Sequence, residues 1–170
     1  MADARTAILI TCDDAHEGGF QNMHNDRANW TGGQVGSGTL VGTKYGITCL
    51  DLPGVNIQNL TLDQAVAYYT STYWKPHYNE IANQLIANKL FDLGVLFGIG
   101  TAVKALQSVL KLVQDGAFGP TTVAEVNNSE DTSLLLAFRT AMVQHALSVG
   151  AANPAERPFV ADWIRRINGN

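Results

Sequence analysis

Residues 15–49, AHEGGFQNMHNDRANWTGGQVGSGTLVGTKYGITC, differ in character from everything that follows them in the chain. From residue 20 onward this stretch is rich in glycine, and apolar residues stand between the glycines: Val35, Leu40, Val41 and Ile47. Glycine adopts the positive φ angles of tight turns, and short apolar runs between turn residues are typical of strands. The stretch therefore predicts a short β-hairpin or meander, the one strand-like region of the sequence.

The sequence on either side of this stretch favours helices. Residues 4–16 have helical spacing, and from Thr61 onward the chain is rich in helix-forming Ala, Leu and Gln. Thr61 and Gln64 have the spacing of a capping box, and Pro120 is suited to a first helical position. Gly150 is expected to end the last long helix. The fold class predicted is α+β and mostly helical.

Composition excludes several functional classes. The chain has 170 residues, 46% hydrophobic and 15% charged, with a net charge of −4. This size suits one compact domain or two small subdomains with a shared core. Nucleic acid is not an expected partner, because no basic run is present to neutralise phosphates. The most apolar segment, residues 93–103, is too short to cross a bilayer, so no membrane insertion is expected.

Glu17 and Asp26 are the residues with the strongest chemical pattern. Glu17 follows the first predicted helix, whose partially negative C-terminal end favours a protonated carboxyl group and hence a general acid. Asp26 lies nine positions later in a polar loop, where it would stay ionised and activate a water. One acid and one base across a groove are what inverting glycoside hydrolysis requires. Alternatively, Glu17 is an ordinary solvent-exposed residue at the end of a helix, with no catalytic role.

A metal site is the weaker interpretation of the same region. Cys12 and His16 are four residues apart and could face one zinc ion, with His24 and Cys49 as further ligands. No second closely spaced pair supports them, so no metal and no cofactor are expected, and both cysteines are taken as buried thiols.

Several motifs in order along the chain resemble the glycoside hydrolase 108 family, which comprises muramidases of phage endolysins and of some bacterial secretion systems. They are Ala15-His16-Glu17-Gly18-Gly19-Phe20, Asp26, Thr43-Lys44-Tyr45-Gly46-Ile47-Thr48, Tyr73-Trp74-Lys75-Pro76, Leu90-Phe91-Asp92, Asp115-Gly116-Ala117-Phe118-Gly119-Pro120 and the ending from Phe159 to Arg166. The resemblance implies a lysozyme-like fold with a small hairpin lobe packed against a helical body. It places a catalytic lobe at residues 1–88 and a helical, peptidoglycan-binding-like half at residues 89–170, together forming one compact unit.

The resemblance makes Glu17 the catalytic acid, and by analogy with phage-type lysozymes Asp26 and Thr43 hold the attacking water. Residues 34–42 are inserted relative to the family pattern, so Thr31 and Thr39 compete with Thr43 for this role.

Three further residues are candidates for substrate binding. Tyr45 could stack on a sugar ring, and Gly46 would let the backbone approach the substrate. Asp92 could bind a sugar hydroxyl or brace a neighbouring segment. Leu96 stands where the family usually has an asparagine, which removes one hydrogen bond to the glycan.

These features predict a muramidase that cuts the β-1,4 bond between N-acetylmuramic acid and N-acetylglucosamine in peptidoglycan strands, with inversion. The alternatives are a lytic transglycosylase acting on the same bond, a non-catalytic wall-binding protein and a zinc amidase. We expect a monomer, made in the cytoplasm without a signal peptide, that acts in the periplasm or cell wall after a holin or a secretion partner releases it.

Overall fold

The computed structural model describes residues 1–12 and 19–169. The backbone forms two compact units: one comprises Met1–Ile8 and Thr72–Asn170, here called the helical unit, and the other comprises Leu9–Ser71, here called the glycine-rich unit. The predicted boundary after residue 88 falls inside a helix of the helical unit, and as a division of function it stays a prediction.

The described part of the chain contains seven α-helices and one two-stranded antiparallel sheet. The helices are α1 (Ala4–Thr11), α2 (Leu62–Tyr73), α3 (Gln84–Phe97), α4 (Ile99–Val109), α5 (Pro120–Asn128), α6 (Asp131–Ala152) and α7 (Val160–Asn168). The strands are β1 (Thr43–Lys44) and β2 (Ile47–Thr48). The prediction of a mostly helical, lysozyme-like α+β fold is confirmed.

The core of the helical unit forms where α3, α4 and α6 pack on one another, with α7 packed on α6. Its buried side chains are aliphatic and aromatic and include Ile86, Leu90, Leu93, Ala102, Leu106, Phe138, Met142 and Ala146. Helix α3 is buried around most of its circumference, and even its polar side chains Asn88, Lys89 and Asp92 are buried. Among the described helices, α6 is long and apolar enough to cross a membrane, judged by length and composition alone.

Local signals set several helix ends. The Thr61 backbone N–H donates to Gln64 Oε1 at 2.9 Å, and the Gln64 N–H donates to Thr61 Oγ1 at 3.2 Å, which is the reciprocal capping box predicted. Pro120 is the first residue of α5, also as predicted. Gly150 does not end α6, which continues to Ala152. A Cβ at Gly150 would come within 2.5 Å of Val160, so this glycine permits close packing inside a helix.

The turn after α4 is held by one buried amide side chain. Gln107 Nε2 donates to Asp115 Oδ1 at 2.7 Å and to the Ala117 carbonyl at 3.0 Å, while Gln107 Oε1 accepts from the Gly116 N–H at 2.9 Å. Thr122 Oγ1 lies 3.4 Å from the same Nε2. The motif from Asp115 to Pro120 is therefore fixed by a residue eight positions before it.

The predicted hairpin is present in a shorter form than its sequence indicates. Strands β1 and β2 are joined by Tyr45 and Gly46, whose φ angles of 53° and 71° are those of a type I′ turn. Most residues avoid this left-handed region, so Tyr45 needs external support. The buried Tyr69 of α2 provides it by donating its hydroxyl to the Tyr45 carbonyl at 2.8 Å.

Candidate active site

Asp26 is held in the glycine-rich unit by hydrogen bonds to both carboxylate oxygens. It is the N-cap of a short 3₁₀ helix, Arg27–Asn29, where its Oδ1 accepts from the Ala28 N–H at 2.9 Å. Its Oδ2 accepts from Gln21 Nε2 at 3.2 Å. The carboxylate is half-buried and keeps further acceptor capacity on each oxygen.

Gln21 and Asn29 form a reciprocal pair of side-chain amides next to Asp26. Asn29 Nδ2 donates to Gln21 Oε1 at 2.8 Å, and Gln21 Nε2 donates to Asn29 Oδ1 at 3.1 Å. Backbone groups of Met23 fix both orientations, because its N–H donates to Gln21 Oε1 and its carbonyl accepts from Asn29 Nδ2. Asn29 is fully buried with all its polar atoms bonded, so the pair is rigid.

Thr43 joins the same network from the other side. Its hydroxyl donates to Asn29 Oδ1 at 2.7 Å, and its backbone exchanges two hydrogen bonds with Gln21 at 2.8 and 2.9 Å. Two of the predicted site residues, Asp26 and Thr43, are thus connected through Gln21 and Asn29. Neither amide was identified from the sequence, where each looks like an ordinary polar loop residue.

Thr31 and Thr39 lie outside the hairpin formed by β1 and β2. The Thr39 N–H donates to Thr31 Oγ1 at 2.9 Å, and the Thr31 N–H donates to the Thr39 carbonyl at 3.0 Å. Both residues are exposed, and their hydrogen bonds tie Thr39 of the inserted segment to Thr31 before it. Of the three threonines, Thr43 is the one hydrogen-bonded into the network of Asp26.

Tyr45 and Gly46 form the tip of the hairpin. The Tyr45 side chain is half-buried, and the Lys44 ammonium lies 5.3 Å from the centre of its ring. Lys44 also donates to the Gln58 carbonyl at 3.2 Å. Their roles in substrate binding stay predictions.

Asp92 lies in the helical unit, where it is buried in a group of charges. Its Oδ1 accepts from Arg166 Nε at 2.9 Å, and its Oδ2 lies 3.6 Å from the ammonium of Lys89. The fully buried Lys89 also donates to the Arg166 carbonyl at 3.0 Å. Burial lowers the pKa of Lys89, and the facing Asp92 carboxylate opposes this shift. This geometry favours the bracing role of Asp92; the sugar-binding role stays a prediction.

The predicted acid, Glu17, lies outside the described residues, as does His16 of the zinc alternative. Cys12 and Cys49 are both buried and form no disulfide, and His24 packs edge-on against Trp30 with ring centres 4.8 Å apart. Residues 1–12 and 19–169 contain no group of three or more His, Cys, Asp or Glu side chains arranged to hold a metal ion.

This fold, with a small glycine-rich hairpin and a helical unit, is of the lysozyme-like α+β class. The family model described as "Glycosyl hydrolase 108" matches residues 14–98, and the chain belongs to this family of glycoside hydrolases. Among solved structures, the chain is similar to SagA of Brucella abortus at 22% identity, over 96% of this chain and 92% of that one, with a TM-score of 0.63. No functionally curated protein matches the chain significantly.

Proposed function

We propose that this protein is a peptidoglycan muramidase that hydrolyses the β-1,4 bond between N-acetylmuramic acid and N-acetylglucosamine. Membership of the glycosyl hydrolase 108 family supports a lysozyme-like enzyme that acts on peptidoglycan. The proposal of hydrolysis by an activated water is supported by the hydrogen-bond network that joins Asp26 and Thr43 to one rigid amide pair. A water-binding site needs acceptor groups held in fixed positions, and this network provides them.

Each group in the proposal has a defined role. Glu17 donates its proton to the glycosidic oxygen as the bond to the leaving sugar breaks. Asp26 accepts a proton from the water that attacks the opposite face of the sugar, so the anomeric carbon inverts. No cofactor takes part in this reaction.

The orientation of the Asn29 amide determines where the proton of the Thr43 hydroxyl points. Asn29 Nδ2 is fixed as a donor by the Met23 carbonyl, so Asn29 Oδ1 is an acceptor and takes the one proton of the Thr43 hydroxyl. The Thr43 oxygen is then left as an acceptor only. It can orient a water by accepting one of its hydrogens, but it has no proton to give to substrate. Its hydrogen-bond partners among residues 1–12 and 19–169, Asn29 and Gln21, are amides that cannot act as a base to make it a nucleophile.

Mass spectrometry of fragments released from purified peptidoglycan tests this function. Disaccharide-peptides with an intact reducing muramic acid are expected. Anhydro-muramic ends would instead identify a lytic transglycosylase, free stem peptides an amidase, and no release a non-catalytic wall-binding protein.

The acid is tested with Glu17→Gln, which removes the transferable proton and keeps the side-chain size. We expect it to lose nearly all release of fragments, at least about a hundredfold, the lower range for general acid catalysis. The matched control is Glu125→Gln, an exposed glutamate of α5, which should digest walls like the parent protein. Full activity of Glu17→Gln would refute the assignment.

We also propose an oligomeric state, a site of action and an export route for the enzyme. It acts as a monomer in the periplasm or cell wall, after a holin or a secretion partner has released it from the cytoplasm. Sedimentation at assay concentration checks the monomer, and a lysis assay with and without a co-expressed holin checks the route.

A further inference from the structure

The glycine-rich unit contains an open cavity of about 630 Å³ that the proposed chemistry does not use. Its walls come from the residues on either side of Gln21, from Thr31, from the Leu40-Val41 pair and from the loop between residues 49 and 58. The volume lies within the range of about 300 to 1,000 Å³ that is usual for small-molecule sites.

The lining of this cavity combines apolar side chains with neutral polar ones. Phe20, Leu50 and Val55 line it while remaining 36%, 50% and 39% exposed, and exposed apolar groups clustered in this way are typical of binding sites. The polar side chains are amides and a hydroxyl, supplied by Asn22, Asn56, Gln58 and Thr31. Among the described residues that line the cavity, none carries a charged side chain.

The loop that forms one wall is fixed before any ligand binds. Asp51 accepts hydrogen bonds from the Thr48 N–H at 2.9 Å and the Thr48 hydroxyl at 2.8 Å, and Tyr68 donates to the same carboxylate at 3.2 Å. Lys44 donates a hydrogen bond to the Gln58 carbonyl, and Asn56 is the N-cap of the 3₁₀ helix Ile57–Asn59. A preorganised wall reduces the entropy lost on binding.

We propose that this cavity binds a neutral N-acetylated sugar residue of the glycan strand, separate from the muramoyl residue with its charged stem peptide. This inference rests on the proposed function for the choice of polymer. Carboxylates of a lactyl group or a stem peptide would require basic partners here. An N-acetylglucosamine unit instead offers an amide for the Asn and Gln side chains, a methyl group for the apolar wall, and a ring face for Phe20.

The binding test uses chitotriose, a neutral oligomer of N-acetylglucosamine, titrated by calorimetry. Wild-type protein should bind it, and maltotriose, which lacks acetamido groups, should bind at least about tenfold more weakly, because the amide contacts are lost. Val55→Trp fills the cavity and should weaken chitotriose binding about tenfold or more. Val35→Trp, at an exposed position of the same unit outside the cavity, should bind like wild type.

Cysteine alkylation tests whether chitotriose binds in this cavity and needs no protein variant. Cys49 lines the cavity, whereas Cys12 does not, and neither forms a disulfide. Chitotriose should slow alkylation of Cys49 and leave that of Cys12 unchanged, as measured by mass spectrometry of the two peptides.

Three results would overturn the inference: no binding of chitotriose by the wild type, equal binding of maltotriose, or wild-type affinity in a folded Val55→Trp. Peptidoglycan digestion by the same wild-type sample separates the two proposals. Wall cleavage without chitotriose binding removes the cavity assignment alone, and binding without cleavage removes the muramidase proposal alone.

Discussion

The interior of the glycine-rich unit and that of the helical unit are stabilised by different interactions. In the first, much of the order comes from hydrogen bonds among loop side chains, with the buried Asn29 at the centre and two strands of only two residues each. In the second, helices bury an apolar core, and the charged side chains Lys89 and Asp92 lie within it. Apolar packing tolerates many substitutions of similar volume, whereas a hydrogen-bond network specifies individual residues. A hydrogen-bond network is therefore the environment suited to the water-holding role proposed for Asp26 and Thr43.

The largest effect is expected where a charge is buried in the helical unit. Asp92→Ala leaves Lys89 and Arg166 without their shared carboxylate, so the free energy of unfolding should fall by about 3 to 5 kcal/mol. Asp162→Ala breaks the exposed pair with Arg165 and should cost no more than about 1 kcal/mol. Urea denaturation measures both. If Asp92→Ala kept its stability but bound peptidoglycan more weakly, the bracing role would be wrong and a sugar-binding role would be supported.

A smaller loss of stability, with a larger loss of activity, is expected in the glycine-rich unit. Asn29→Ala removes the shared partner of Gln21 and Thr43 and should cost about 1 to 3 kcal/mol. Turnover on peptidoglycan should fall more than substrate affinity, because in the proposed mechanism the network positions the water and not the sugar. Asn25→Ala, in the same loop with an exposed side chain, is the control. Equal changes in turnover and affinity would contradict the positioning role.

The smallest effect concerns a helix end of the helical unit and depends on pH. Hydrogen bonds from Ser133 and Thr132 lower the pKa of Glu130, the N-cap of α6, to about 2. Because the pKa is lower in the folded state than in the unfolded state, this stabilisation is full above pH about 4.5 and is lost as the pH falls towards 2. Thermal unfolding should therefore separate Glu130→Ala from wild type at pH 6 and bring them together near pH 2. A gap that persists near pH 2 would show that the carboxylate is not its source, and Glu125→Ala serves as the control.

The sequence predicted those features whose cause is local. The capping box at Thr61 and Gln64 and the helix start at Pro120 depend on residues within a few positions of each other. Gly150 was interpreted wrongly because a glycine near a helix end usually stops it, and its packing against Val160 cannot be seen in the sequence.

The residues of the candidate site were only partly predictable. Asp26 was proposed from its spacing to Glu17 and from the family resemblance, Thr43 was proposed from the resemblance alone, and the structure adds the amides that join them. The partner of Asn29 in β1 is fourteen residues away, and Arg166 is seventy-four residues from Asp92. Pairings over such distances depend on the tertiary fold, so the residue types alone could not distinguish a brace from a ligand.

The single side chain of Gln107 has a consequence for how this chain can change over evolution. It serves Asp115, Gly116 and Ala117 at once and lies near Thr122, so no single replacement at position 107 can satisfy them all. Homologous sequences should therefore show positions 107, 115 and 122 changing together or not at all. Lineages that lose the glutamine are expected to remodel the whole turn, most simply by a deletion, and to keep the flanking helices α4 and α5.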